Sequence, residues 1–308
     1  MKSLRLCLNL AVVLLLVLAF TSVASAQATR TWVSGVGDDA NPCSRTAPCK
    51  TFAGAISKTA SGGEIDCLDP GGFGAVTITK SITIDCDSGA GGVLSSGVQG
   101  IVISALNTDV IILRNFVVSG AGTTLGTNGI HVLTAKAVFL EDIWIQQYSG
   151  VGIFVDLNQT PDFQLMVHDG NIAQTNVGVQ VANVGTGKVN VTVESTRIQN
   201  SGSNAVGAGN GSRVLVKDCH IEGGPIGVIQ SGLGGGGSTV TVQNTSFVGL
   251  SGNGLTGAAG GSILSFANAF INLGGVAFNL GGGTIFTGGD NFIAGGGTGA
   301  ATGAASRF

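Results

Sequence analysis

Charge, proline and tyrosine are what this chain has least of. Only 10% of its 308 residues are Asp, Glu, Lys or Arg, with 14 basic against 17 acidic side chains and a net charge of −3. That excludes the clustered basic surface on which nucleic-acid binding depends, and no block of like charge stands out as an interaction tail. With five prolines, Gly plus Pro reaches about 19%, below the range of low-complexity disorder, and no Gly-X-Y period points to collagen. Beyond the N-terminus no run of about 18 uncharged apolar residues occurs, so no helical membrane span is expected. What is abundant is glycine, 53 residues, in a chain that is 44% hydrophobic.

The first 26 residues carry Lys2 and Arg5, an apolar run from Leu10 to Phe20 and the small residues Ala24, Ser25 and Ala26 before Gln27. This is the pattern of a secretory signal peptide cleaved near Ala26. The chain from Gln27 onward keeps 12 basic and 17 acidic side chains, a net charge of −5. It also keeps five cysteines, and their clustering near the N-terminus pairs Cys43 with Cys49 and Cys67 with Cys86 as structural disulfides of an oxidising compartment. Zinc is disfavoured because the short Cys-x-x-Cys spacing is absent. Cys219 is left odd and is expected to be a buried free thiol.

From residue 109 onward the chain repeats. Seven segments follow the template apolar, any, apolar, any, Asn/Asp/Ser, any, any, apolar, and the polar member is Asn115, Asp142, Asp169, Ser195, Asp218, Asn244 and Asn268. The spacings run from 23 to 27 residues. Between these blocks lies a shorter motif, a small residue followed by alternating apolar positions, as in Gly129-Ile130-His131-Val132 and Gly178-Val179-Gln180-Val181. Period-two alternation of β-branched residues reads as strand, and no window has a helical period. A repeat of this length holding two or three strands and no helix is the mark of a β-solenoid, whereas a propeller blade needs about 40 residues. The polar residue has a physical reason: at a sharp corner, Asn or Asp tolerates the left-handed backbone and satisfies nearby backbone groups with its side chain. The expected fold is all-β, a right-handed parallel β-helix of about ten coils. Residues 27–62 form a cap with a short helix near Lys50 to Ala60, residues 63–295 the solenoid, and residues 296–308 a Gly/Ala-rich tail that frays.

The opening segment, with Val33-Ser34, Asp38-Asp39-Ala40-Asn41-Pro42, Ala47-Pro48-Cys49-Lys50-Thr51-Phe52 and Gly62-Gly63-Glu64-Ile65, together with the Asn/Asp coils, resembles the right-handed parallel β-helix (pectin lyase-like) superfamily of secreted bacterial proteins. The resemblance spans about residues 30 to 295 and concerns fold, since the superfamily holds lyases, glycoside hydrolases, tailspikes and non-enzymatic surface proteins. It implies a cleft, if there is one, on the outer face of the first strand of each coil, where the alignment places His131, Phe154, Gln180, Gly207, Ile229, Thr256 and Ala277. That column holds no carboxylate, so the paired acids of a glycosidase cannot be built from it. The family's Gly-His-Gly and Arg-x-Lys patterns are also absent.

Two other groups can carry chemistry. The residues just before the corners, Arg114, Glu141, His168, Glu194, Lys217 and Gln243, are expected to point outward in a ladder of mixed charge, and His168 with Glu141 and Glu194 is the candidate acid/base set. Asp156 and Asp162, within Asp156-Leu-Asn-Gln-Thr-Pro-Asp162, are the candidate calcium ligands, although they lack the glycine and ligand rhythm of a calcium loop. No other cofactor is expected. The repeat is complete while every reactive constellation is incomplete. The reading is therefore a secreted, non-catalytic scaffold or binding surface whose partner is an extracellular polysaccharide or surface protein. The alternative is a divergent polysaccharide lyase or glycoside hydrolase.

Overall fold

The computed structural model describes residues 27–87, 91–230 and 237–304. The proposed signal peptide, residues 1–26, lies outside them. The described chain winds into a parallel β-solenoid whose 28 short strands join in one continuous sheet, with one helix, Phe52–Lys58, at the N-terminal end. Every turn lays a strand on each of three faces. About eight turns run between Ile82 and Asn279, and a turn of shorter strands at either end brings the stack close to the ten implied by the repeat.

The first face carries the repeat template. Leu113, Leu140, Val167, Val193, Val216 and Val242 follow one another as direct partners on successive rungs, and all are buried. Parallel pairing in register puts like on like, so inward columns of Ile, Val, Leu and Phe fill the interior. Each such side chain contributes on the order of 1.5–3 kcal/mol by leaving water.

The first corner is a column of left-handed residues: Asn115, Asp142, Asp169, Ser195, Asp218 and Asn244 have φ between +48° and +61°. At the seventh repeat the left-handed residue is Ala267, φ +52°, and Gly289 continues the column at +77°. Asn268 is therefore not a corner residue. The strand register pairs Gln243 with Phe266, which sets Asn268 one place further on, buried and level with Thr245. There it belongs to an inner polar column. Gly170 donates its N–H to Thr196 Oγ1, Cys219 to Thr245 Oγ1, Thr245 to Asn268 Oδ1 and Asn268 to Asn291 Oδ1. The free Cys219 occupies a place in this column, with its Sγ 3.1 Å from the Lys217 carbonyl and 3.3 Å from that of Val193. Burial pushes its thiol up to about 11.

A second corner, between the second and third faces, is also left-handed: Gln147, Gln174, Asn200, Gly223, Gly249, Asn272 and Gly295 have φ from +52° to +76°. The third face then opens with small residues because the backbone of the next rung is close. A Cβ on Gly178 would stand 2.5 Å from the Ala205 carbonyl oxygen.

At the N-terminal end the Phe52–Lys58 helix, capped by Thr51, buries Phe52, Ala55 and Ile56 against the first turn. Both disulfides, Cys43–Cys49 and Cys67–Cys86, are present. At the other end, the stretch expected to fray keeps pairing: Gly297–Gly299 with the rung of Val276, and Gly303–Ala304 with that of Phe286. Ladder hydrogen bonds need only backbone, which glycine supplies.

Two outcomes follow. Ala267 is the one residue of the first corner with a Cβ but no polar group, so Ala267→Asn should raise stability by about 0.5–1 kcal/mol in denaturant unfolding. An unchanged or lower midpoint would contradict the corner's account. In the chain from Gln27 onward, a thiol reagent at about pH 8 should find no reactive cysteine in the native protein and one after unfolding without reductant.

Candidate functional site

The outer surface of the third face is one continuous column. Pairing runs His131, Phe154, Gln180, Gly207, Ile229, Thr256. Its last member is Asn279, because Thr256 pairs with Asn279, while Ala277 is fully buried. The small insertion after Gly275 lengthens the approach to the strand, and alignment on apolar residues alone does not register it.

The head of this column is its most reactive part. The imidazole of His131 stacks on Phe154 with ring centres 4.9 Å apart and planes 13° from parallel. His131 Nδ1 lies 2.7 Å from Gln99 Oε1, an acceptor, so that nitrogen holds the proton. The other nitrogen, Nε2, is sealed from water, has no hydrogen-bond partner and stands 3.5 Å from Asp156 Oδ2. With a neutral ring, two acceptors face each other. Protonating the ring, or placing a hydroxyl between the two, converts the contact to an attraction. Further along the face, Asn204 Nδ2 and Thr256 Oγ1 are likewise buried and unpartnered within the chain. The column thus offers an aromatic stack, a carboxylate and planar amides at intervals of about 4.8 Å.

Asp156 thereby acquires a setting that the sequence does not suggest. It lies on a strand, opposite Ala182, one column from His131, rather than in a loop with Asp162. Asp162 instead accepts the backbone N–H of Lys188 at 2.9 Å. Among the described residues no group of three or more His, Cys, Asp or Glu side chains is arranged to hold a metal ion.

The charged ladder of the first face is in register as Arg114, Glu141, His168, Glu194, Lys217, Gln243. It reaches further back than the repeat shows, through Asp85 and Asp66 to Trp32. His168 Nδ1 is 3.9 Å from Glu194 Oε2, and Nε2 is 3.3 Å from Asp169 Oδ2. Glu194, however, is engaged by Lys217 Nζ, and this pair, with Asp218 beside it, holds the ammonium above its ordinary range. Glu141 is exposed on the rung before His168 and forms no ion pair among the described residues. A base is thus in place beside His168, but it is already neutralised by its neighbour.

No family model matches this chain, and no curated protein is similar to it in sequence. Among solved structures, the fold is similar to that of the pectate lyase Pel9A, with a TM-score of 0.55, 14% identity, and coverage of 93% of this chain and 82% of that one. It is also similar to the GH136 lacto-N-biosidase from Eubacterium ramulus, with a TM-score of 0.60, 9% identity, and coverage of 89% and 67%. This chain is a β-solenoid of the kind on which those carbohydrate-active enzymes are built; at such identities the similarity is one of fold.

Because the first-face ladder consumes its acids in ion pairs, Glu194→Gln should lower stability by less than about 1 kcal/mol. It should also leave glycan binding by the protein unchanged. A loss of function out of proportion to that small stability change would restore the His168 set as the working site.

Proposed function

We propose that the protein is an exported β-helix of the pectin lyase-like type that holds an extracellular polysaccharide along the outer surface of its third face. The observation that carries this reading is the head of the column: an imidazole stacked on Phe154, with Asp156 beside a nitrogen that has no partner in the chain. A sugar hydroxyl can donate to the carboxylate or to the imidazole, and aromatic rings pack against the apolar faces of sugars. Below it, the amides of Gln180 and Asn204 recur at about the spacing of strands, comparable to the length of one sugar unit. Two disulfides fit an oxidising, extracytoplasmic setting. The two structural neighbours, a lyase and a glycosidase, support a carbohydrate over a protein partner.

A second reading, cleavage of the bound chain, has its own support. His131 and Asp156 are a proton-holding couple on the same surface, and both neighbours act on glycosidic bonds by name. In that role His131 would move the proton and Asp156 would stabilise the charged ring.

The test uses the purified chain from Gln27 onward against a panel of plant, fungal and bacterial polysaccharides, read by affinity electrophoresis and by assays for unsaturated ends and new reducing ends. Binding by at least one polymer is expected, weakened tenfold or more by Phe154→Ala and by Asp156→Ala. Retention of full affinity by both variants, or no binding across the panel, overturns the reading. Product formation that His131→Ala abolishes while binding persists would establish cleavage.

A further inference from the structure

The end of the solenoid farthest along the chain from the repeats holds a cleft that neither the repeat pattern nor the third face explains. It measures about 520 Å³ and is lined by Arg30, Trp32, Arg45, Asp66, Asp85 and Asp87, among others. A smaller hollow of about 230 Å³ shares Asp87 and continues to Asn115, Asp142 and Trp144. The whole sequence contains two tryptophans, and both lie on this path. Trp144 keeps 48% of its surface exposed.

The path follows the first corner, away from the outer surface of the third face. Trp32, Asp66, Asp85 and Arg114 are partners on successive rungs, with Trp144 one rung beyond. Four rungs at about 4.8 Å place the two indoles about 20 Å apart along the stack. The floor is rigid. Cys67, which lines the cleft, is tied to Cys86, and Arg30 lies 5.8 Å from the centre of the Trp32 ring.

The electrostatics select the class of ligand. Arg30 is bound to Asp66 and Glu64, and Arg114 to Asp85, so most of the charge is cancelled within the walls. Arg45 and Asp87, one of each sign, make no ion pair among the described residues. What remains is a trough rich in fixed donors and acceptors, poor in net charge, and marked by an indole at each end. An anion would meet Asp87 and Asp142, and a polycation would meet Arg45 and Arg30. An uncharged polyhydroxylated chain meets neither penalty: carboxylates accept from its hydroxyls, guanidinium groups donate to its oxygens, and the indoles cover its C–H faces. The volume falls within the 300–1,000 Å³ typical of ligand sites.

We propose that this cap-side trough is a second saccharide site, for an uncharged oligosaccharide spanning Trp32 to Trp144. It does not depend on the third face, so a single rigid body would carry two glycan sites on different sides.

Isothermal titration on the chain from Gln27 onward tests the site. The probes are uncharged gluco-, manno-, galacto- and N-acetylglucosamine oligosaccharides of three to five units, with oligouronates and oligoglucosamines as charged counterparts. At least one uncharged series should bind, and more tightly than its charged counterparts. Trp144→Ala and Asp87→Ala, both at exposed positions, should each weaken it fivefold or more, and His131→Ala should leave it unchanged. The proposal is overturned if no uncharged series binds, if the charged counterparts bind as well or better, or if the Trp144→Ala/Asp87→Ala double variant retains wild-type affinity. Binding lost only in His131→Ala also overturns it and assigns the affinity to the third face. Far-ultraviolet dichroism of each variant separates lost binding from lost fold.

Discussion

Everything in this molecule follows from stacking one coil on the next in register. A parallel ladder places each side chain over its counterpart one turn away, so a residue type that suits one rung must suit the column. The corners carry the strictest version of that demand. A backbone that turns within one residue enters the left-handed region, which costs an ordinary residue roughly 1–2 kcal/mol. Asn, Asp and Ser meet it at the first corner by bonding to what lies beside them, as when Asn244 donates to Asp218 at 2.6 Å and Asn115 to Asp85 at 2.8 Å. The stack, not local propensity, keeps such residues in place.

The first corner was legible in the sequence because its residues are polar and are framed by apolar positions on both sides. The same framing misled at the last repeat. Phe266 looks like the inward residue of its strand, yet Ser265 is the one fully buried, and the column slips by one to give Asn268 in place of Ala267. An inward serine is invisible to an apolar template, and its burial is made tolerable by bonds to Asn291 and Asn268. The second corner was missed for a different reason. Its members are Gln, Asn and Gly in mixture, with no shared chemistry. They do share a place, two residues after the inward apolar residue of the second face: Ile145 and Gln147, Ile198 and Asn200, Phe270 and Asn272. A positional signal existed where a compositional one did not.

The sites were less legible than the fold because they are assembled across columns and from outside the repeat. Asp156 belongs beside His131 only once the strand is known to continue past Val155; the sequence alone makes its stretch an acidic loop. Trp32 stands over Asp66 across 34 positions, and Asp66 over Asp85 across 19. Neither interval is that of the repeat, so a periodicity search passes over them. The matched Ile-Asp-Cys pairs at 65–67 and 84–86 were the only sign that the cap continues the same ladder, and they carried the second disulfide with them.

Stacking also limits where chemistry can arise. A column supplies one side chain per rung, so like charges on neighbouring rungs repel, and a long ladder of ionisable groups survives by alternating sign. The first face alternates from Arg114 to Lys217, and its carboxylates are thereby spent on their neighbours. Reactive or ligand-binding groups are left where that alternation breaks. One break is at the cap, where Asp66 and Asp85 sit on adjacent rungs and call in Arg30 and Arg114 from the flanks. The other is on the third face, where His131 meets an acid not in its own column but in the next. Both breaks lie beside an aromatic ring, and at both the surrounding side chains are amides, hydroxyls and neutralised ions. That combination suits polyhydroxylated polymers better than charged or apolar partners, and it arises from the geometry of the ladder, without any long catalytic loop.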